Sequence, residues 1–187
     1  MKKFLRPYLA FLLMGSLLTT TGCGDDDNPT PAPDNEEITT VTLTLEPESK
    51  GQLASASSKD MDGVGGNAPV KTTLTLKPNT TYIANLTLLN ENENPPVEIH
   101  EEIQAEANDH QIFYTPSTGS LMTVTVTDKD SQNRPLGLAT TIVTGNAGTG
   151  KLKVVVKHQK GTKTAAPGDA TKGETDVEVE FDVVVQQ

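Results

Sequence analysis

The last third of the chain alternates most plainly. Leu152, Val154, Val156 and His158 recur at every second position, with Lys151, Lys153 and Lys157 between them. Val177, Val179, Phe181, Val183 and Val185 do the same against Glu178, Glu180 and Asp182. A period of two puts the apolar set on one side of a pleated strand and the charges on the other. Paired antiparallel, the two strands set a lysine row against an acidic row on the solvent side, which helps to fix register and requires no ligand.

Earlier stretches carry the same period. Val41, Leu43 and Leu45 alternate with Thr42 and Thr44, and a weaker strand over 52–58 has little apolar content beyond Leu53. Leu74 and Leu76 lead through Lys77-Pro78-Asn79 into 81–89, where Tyr82, Ala84, Leu86 and Leu88 share a face. Met122, Val124 and Val126 alternate with Thr123, Thr125 and Thr127. A further strand is expected over 136–144, with the glycine-rich 145–150 as a hairpin into the next. Residues 159–175 are glycine-rich and lack a period, so a mobile surface loop is expected there.

One segment breaks the strand rhythm. After Pro95-Pro96, Ile99, Ile103 and Ala107 fall at helical spacing with glutamates in the first turn. This predicts a short helix over about 97–108, then a short strand at 111–114. About eight short strands with turn signals between them and one helix predict an all-β, Greek-key or immunoglobulin-like sandwich over 38–187. The TxLxL runs follow no fixed period, so there is no internal repeat.

The N-terminus has another pattern. Lys2, Lys3 and Arg6 precede an apolar run through Phe11-Leu12-Leu13-Met14 to Leu18, followed by small residues up to Gly22. This is the layout of a secretory signal peptide over 1–22, cleaved after Gly22. The apolar run, roughly 15 residues against the ~20 of a spanning helix, is too short to cross a bilayer. Residues 24–37 have three prolines, six acidic residues and no apolar periodicity. They read as a solvated tether reaching roughly 40 Å at about 3.1 Å per residue.

Charge and cysteine count then exclude whole classes of function. The formal charge is −10, and loss of the three basic residues of the signal takes it to about −13. Such a chain lacks the basic footprint of a nucleic-acid binder and is not expected to lie flat on an anionic membrane. It is expected to act as a soluble monomer beyond its tether. Cys23 is the only cysteine, so no internal disulfide forms and the fold stands on its apolar core.

Gly22-Cys23 resembles the lipobox of bacterial lipoproteins, although Thr20, three residues before the cysteine, departs from the usual leucine. The resemblance implies that Cys23 becomes a di- or triacylated N-terminus anchored in the membrane. The acidic run that follows is similar to the export signal of surface lipoproteins in the Bacteroidota. The succession of 60–70, 79–91, 101–113 and 173–186 resembles small surface lipoproteins of that group. It implies an outer-membrane, exterior-facing location and partnership with a TonB-dependent outer-membrane receptor, and it carries no chemistry with it.

Few residues offer chemistry of their own. Asp60 and Asp62 open a glycine-rich loop that begins like a calcium loop, but Val64 and Lys71 stand where oxygen ligands are wanted, and turn formation explains the aspartates equally well. There are three histidines. His100 reads as an exposed residue of the helix. His110 lies just past the helix C-terminus, where an imidazolium suits the dipole, and His158 continues an apolar strand face. If the helix packs over the end of that strand, His110, His158 and Glu106 converge as a Zn²⁺ or Cu²⁺ site. Gly145 to Lys151 matches a phosphate-loop spacing, but Leu152 replaces the Ser or Thr and a strand follows instead of a helix. No GxSxG or HExxH is present, so no catalytic residue and no required cofactor is assigned. A non-enzymatic, anchored binding or accessory module is expected.

Overall fold

Alternating apolar residues need a second layer to bury them, and the computed structural model supplies it as two facing β-sheets. The structure describes residues 35–63 and 65–187. The expected signal segment, Gly22, Cys23 and the tether up to residue 34 lie outside them, as does Val64. The first sheet contains β1 (Thr40–Pro47), β2 (Ala54–Lys59), β3 (Val70–Lys71), β5 (Thr81–Leu89), β7 (Met122–Val126) and β8 (Ala139–Thr144), in the order β3-β2-β1-β5-β8-β7. The second contains β4 (Leu74–Leu76), β6 (His110–Pro116), β9 (Gly148–His158) and β10 (Glu174–Val185), in the order β4-β10-β9-β6. The helix α1 is Ile99–Ala105. The chain is thus an all-β sandwich with one short helix, as its alternation predicts.

The inward residues of both sheets form one core. Leu43, Leu45, Ala84 and Leu88 of the first sheet and Leu152, Val156 and Phe181 of the second are fully enclosed. Burying each large aliphatic or aromatic side chain contributes about 1.5–3 kcal/mol. On the outer face of the second sheet Lys151 pairs with Glu180 and Lys153 with Glu178, one step diagonal to the Lys153–Glu180 register. The expected lysine and acidic rows therefore meet.

Three local expectations are corrected. There are ten strands among the described residues instead of about eight, because 70–76 divides into β3 and β4, one in each sheet. Residues 145–150 are not a hairpin: β8 and β9 lie in different sheets, and the turn carries the chain between layers. Gly145 fits there because Ser120 packs its carbonyl where a Cβ would stand. The helix is shorter than 97–108, since Val97 is held by both backbone bonds to Asn90 and cannot join it.

The segment 159–175 is pinned at several points where a mobile loop was expected. Gln159 is fully buried and its amide donates to the carbonyls of Asp169 (2.7 Å) and Lys172 (3.0 Å). Gln111 donates to Pro167 O at 3.1 Å. Lys163 is buried and reaches Asp130 (3.1 Å) and Ala107 O (2.7 Å). Long polar side chains anchored on backbone carbonyls hold this loop without any apolar period. No helix among the described residues is long and apolar enough to cross a membrane.

Candidate metal centre

β6 and β9 run antiparallel with Tyr114 opposite Val154, Ile112 opposite Val156 and His110 opposite His158. The first two pairs face the core, so the same inner face ends in two imidazoles. Directly opposed residues on one face lie within side-chain reach. The His110 and His158 rings stack, with centroids 4.5 Å apart and planes 28° from parallel. The sheet register brings the two histidines together, where the sequence suggested that helix packing would.

Two carboxylates close on this pair from other segments. Asp176 continues the outward series Glu174, Glu178, Glu180 and Asp182 in sequence. A β-bulge between Thr175 and Val177 makes Asp176 an extra residue against β9. Bulges re-aim side chains. Here the Asp176 side chain is closed off from solvent, with Oδ2 3.9 Å from His110 Nε2. Glu36 comes from the strap that precedes β1, and its Oε1 lies 3.0 Å from the same Nε2. His110 has no exposed side-chain surface and Glu36 has 13%.

The far side of the His110 ring fixes its tautomer. Nδ1 lies 3.3 Å from the carbonyl of Glu106, the C-cap residue of α1. A carbonyl only accepts, so Nδ1 carries a proton. Nε2 then faces the two carboxylates either as a second N–H or as a lone pair on offer to a cation. A backbone carbonyl holding Nδ1–H while Nε2 points into a carboxylate-lined site is how metal-ligating histidines are oriented.

Electrostatics divide the cluster unevenly. Burial acts to lower His110, but Glu36 and Asp176 outweigh it and hold the imidazole above its usual range. Burial acts to raise Glu36, and the adjacent His110 outweighs it and holds the carboxyl low. Asp176 has no comparable relief, and burial followed by the Glu36 charge pushes it up to about 7. Seven buried side-chain polar atoms among the described residues make no well-formed hydrogen bond, and four belong here: Glu36 Oε2, both oxygens of Asp176, and His110 Nε2, which is ion-paired with Glu36 Oε1 at 3.0 Å. Native interiors satisfy nearly all such atoms. Their concentration at one point is the anomaly that needs a cause.

The donor set answers to one chemistry. One ligand atom each from Glu36, His110 and His158 lies within 4.8 Å of the others. A tetrahedral ion bonded at about 2.0–2.2 Å holds its ligands about 3.5 Å apart, so binding draws the set in by about 1 Å. Two imidazoles with carboxylate oxygen suit Zn²⁺, Cu²⁺ or Ni²⁺ and not Ca²⁺, which takes oxygen alone.

The other candidates lie elsewhere. Glu106 has an exposed side chain, because a C-cap residue sends its carbonyl along the helix axis and its side chain outward. The carboxylate at the imidazole pair is that of Glu36, expected in the tether. Asp60 Oδ1 accepts from Gly63 N (2.9 Å), and Asp62 Oδ2 accepts from Asn67 N (2.9 Å) and Nδ2 (2.6 Å), so both serve the turn. His100 is partly buried, its Nδ1 3.1 Å from Leu88 O, and fastens α1 to β5. Of residues 145–151, the last four already belong to strand β9, which supplies no helix N-terminus for a phosphate. Glu36 and Asp176 were missed. No sequence signal separates Asp176 from its acidic neighbours, and only the direct junction with β1 distinguishes Glu36. No protein-family model, curated protein or solved structure matches this chain.

Proposed function

We propose that this chain is a lipid-anchored, non-enzymatic module of the cell envelope that captures a divalent transition-metal ion, Zn²⁺ or Cu²⁺, through Glu36, His110 and His158, with Asp176 at the same point. The observation that carries the reading is the concentration of buried polar atoms without a well-formed hydrogen bond on Glu36, His110 and Asp176 beside the stacked histidine pair. An ion entering this site replaces the proton on His110 Nε2 and neutralises two carboxylates that share too little positive charge. Binding releases protons and so strengthens as pH rises through the imidazole range.

Anchorage rests on the signal-like segment, the Gly22-Cys23 pair and the acidic tether. In that setting the ion is held outside the outer membrane, near the TonB-dependent receptor that the lipoprotein resemblance implies as partner. Titration of the whole chain with Zn²⁺ and with Cu²⁺ tests capture: micromolar or tighter binding that is lost in both His110→Ala and His158→Ala is expected, and binding indifferent to both substitutions refutes it. Radiolabelled palmitate tests the anchor, with incorporation expected in the wild-type chain and none in Cys23→Ala.

A further inference from the structure

The site joins parts of the chain that have different mechanical roles. His110, His158 and Asp176 belong to paired strands of one sheet. Glu36 belongs to the strap 35–39, which enters β1 and on its other side continues into the tether. From residue 39 onward the strap is firmly held, by Thr39 N to Leu89 O (2.9 Å), Glu91 N to Thr39 Oγ1 (2.8 Å) and Asp60 N to Thr39 O (2.8 Å). Among the described residues no such backbone bond holds 35–38. Ile38 packs half-buried against the hydrophobic core, and three polar side chains hold the residues before it: Asn35 Nδ2 on Thr175 O (3.3 Å), Glu37 accepting from Asn92 Nδ2 (2.7 Å), and Glu36 on His110.

These contacts are not equal. Asn35 and Glu37 are exposed and their bonds compete with water, whereas Glu36 meets a fully enclosed imidazole. Segments with few buried contacts and solvent-exposed hydrogen bonds open at the lowest free energy. Docking of residues 35–37, ahead of the packed Ile38, therefore turns on the Glu36 carboxylate, and that carboxylate is a proposed ligand. A bound ion adds a bond that exists only when the strap is down. By mass action, whatever binds the docked form better than the undocked form shifts the population toward docking.

We infer that the metal site is a clasp, in which a bound divalent ion locks residues 35–37 onto the sandwich and its removal frees them. The inference rests on the metal-capture reading above. Release leaves residues 35–37 exposed to solvent. It also opens one side of a cavity of about 410 Å³ that the strap bounds with Glu36 and Ile38, and that Val41, Ser58, Lys71 and Asp176 line from the sheets. Ion occupancy thereby sets whether this cavity is covered.

A glutamate-specific protease reads the clasp directly, because cleavage after Glu37 requires an undocked strap. The whole chain is digested with saturating Zn²⁺ or with chelator, and the rate after Glu37 is divided by the rate at exposed Glu48 as internal reference. The ratio is expected to fall at least tenfold with Zn²⁺. In Glu36→Gln the ratio is expected to stay high with Zn²⁺, while His110, His158 and Asp176 still bind the ion about tenfold more weakly. Zinc binding with an unchanged ratio overturns the clasp and leaves the site standing. Absence of zinc binding by calorimetry overturns both. Equal protection in Glu36→Gln shows that the strap is held by other means and also overturns the clasp.

Discussion

Asp130 and Asp176 are both aspartates with side chains closed off from solvent, and they stand in opposite electrostatic states. Asp130 Oδ2 accepts from Arg134 Nε (2.7 Å) and Lys163 Nζ (3.1 Å), and Oδ1 accepts from the backbone of Gln132 (2.9 Å) and Arg134 (2.8 Å). Arg134 also donates to the carbonyls of Lys163 and Asn108, and Lys163 to that of Ala107. Burial acts to raise Asp130, but these bonds outweigh it and bring the carboxyl down to about 2. Asp176 shares its space with a second carboxylate, no hydrogen bond reaches either of its oxygens, and it is pushed up to about 7. Two cations meet one anion in the first cluster, and two anions compete for imidazole charge in the second. The first cluster is a finished structural tie between loops. In the second, both oxygens of Asp176 lack a hydrogen-bond partner among the described residues.

Removing Asp130 strikes the finished cluster and carries the largest expected effect. Asp130→Ala strands two buried or half-buried cations, and breaking a buried pair in this way costs about 3–5 kcal/mol. Urea denaturation should show that loss, with zinc affinity of the folded fraction unchanged within about twofold. A comparable loss from Asp176→Ala would erase the contrast between the two aspartates.

The open cluster responds in binding instead. His110→Ala is expected to lower Zn²⁺ affinity about 100-fold or more, since even the outer partners of metal ligands are worth 10- to 100-fold. Competition with a chromogenic chelator measures it. An affinity equal to wild type would mean that the ion binds elsewhere on this acidic surface.

Acidity separates the clusters by sign. Asp176 has a folded pKa above its unfolded one, so the folded chain keeps a proton that the unfolded chain releases between about pH 4 and 7. Stability from that group falls as pH rises across the window. Raised His110 acts in the same direction, its contribution present below the unfolded imidazole value and lost as pH rises through the folded one. Depressed Asp130 and Glu36 act oppositely, stabilising above their unfolded values and losing that contribution as acid protonates them. Chelator-treated protein should therefore be less stable at pH 8 than at pH 5, and Asp176→Asn should reduce the difference by more than about 1 kcal/mol. A flat profile in the wild-type chain would show that Asp176 is ionised throughout. Lys153→Ala, in the exposed ladder, is the smallest case: its partner Glu178 is half in water, and the unfolding midpoint should not move measurably.

Much of this architecture is legible along the chain. Alternation at Val41–Leu45, Tyr82–Leu88, Leu152–Val156 and Val177–Val185 places those residues inside, because a pleated strand has only two faces and water sorts them. Sheet membership is not legible. The same alternation suits β8 and β9 whether they pair or part, and the glycine turn between them serves either outcome. The candidate metal centre divides in the same way. His110 and His158 stand out as rare imidazoles, one of them on an apolar face. Asp176 carries no mark, because its inward aim comes from a bulge that breaks the very alternation by which it would be read.

The sequence alone determined that this is a strongly acidic β-sandwich with no second cysteine for an internal disulfide. Those properties follow from residue type and short-range order, which any window of the chain displays. Tertiary structure alone decided which charges meet. It set His110 opposite His158 by strand register, turned Asp176 inward by one extra residue, and brought Glu36 back from the edge of the tether. Contacts between residues 36, 110, 158 and 176 depend on how strands pair across more than a hundred positions, and no local pattern encodes that distance.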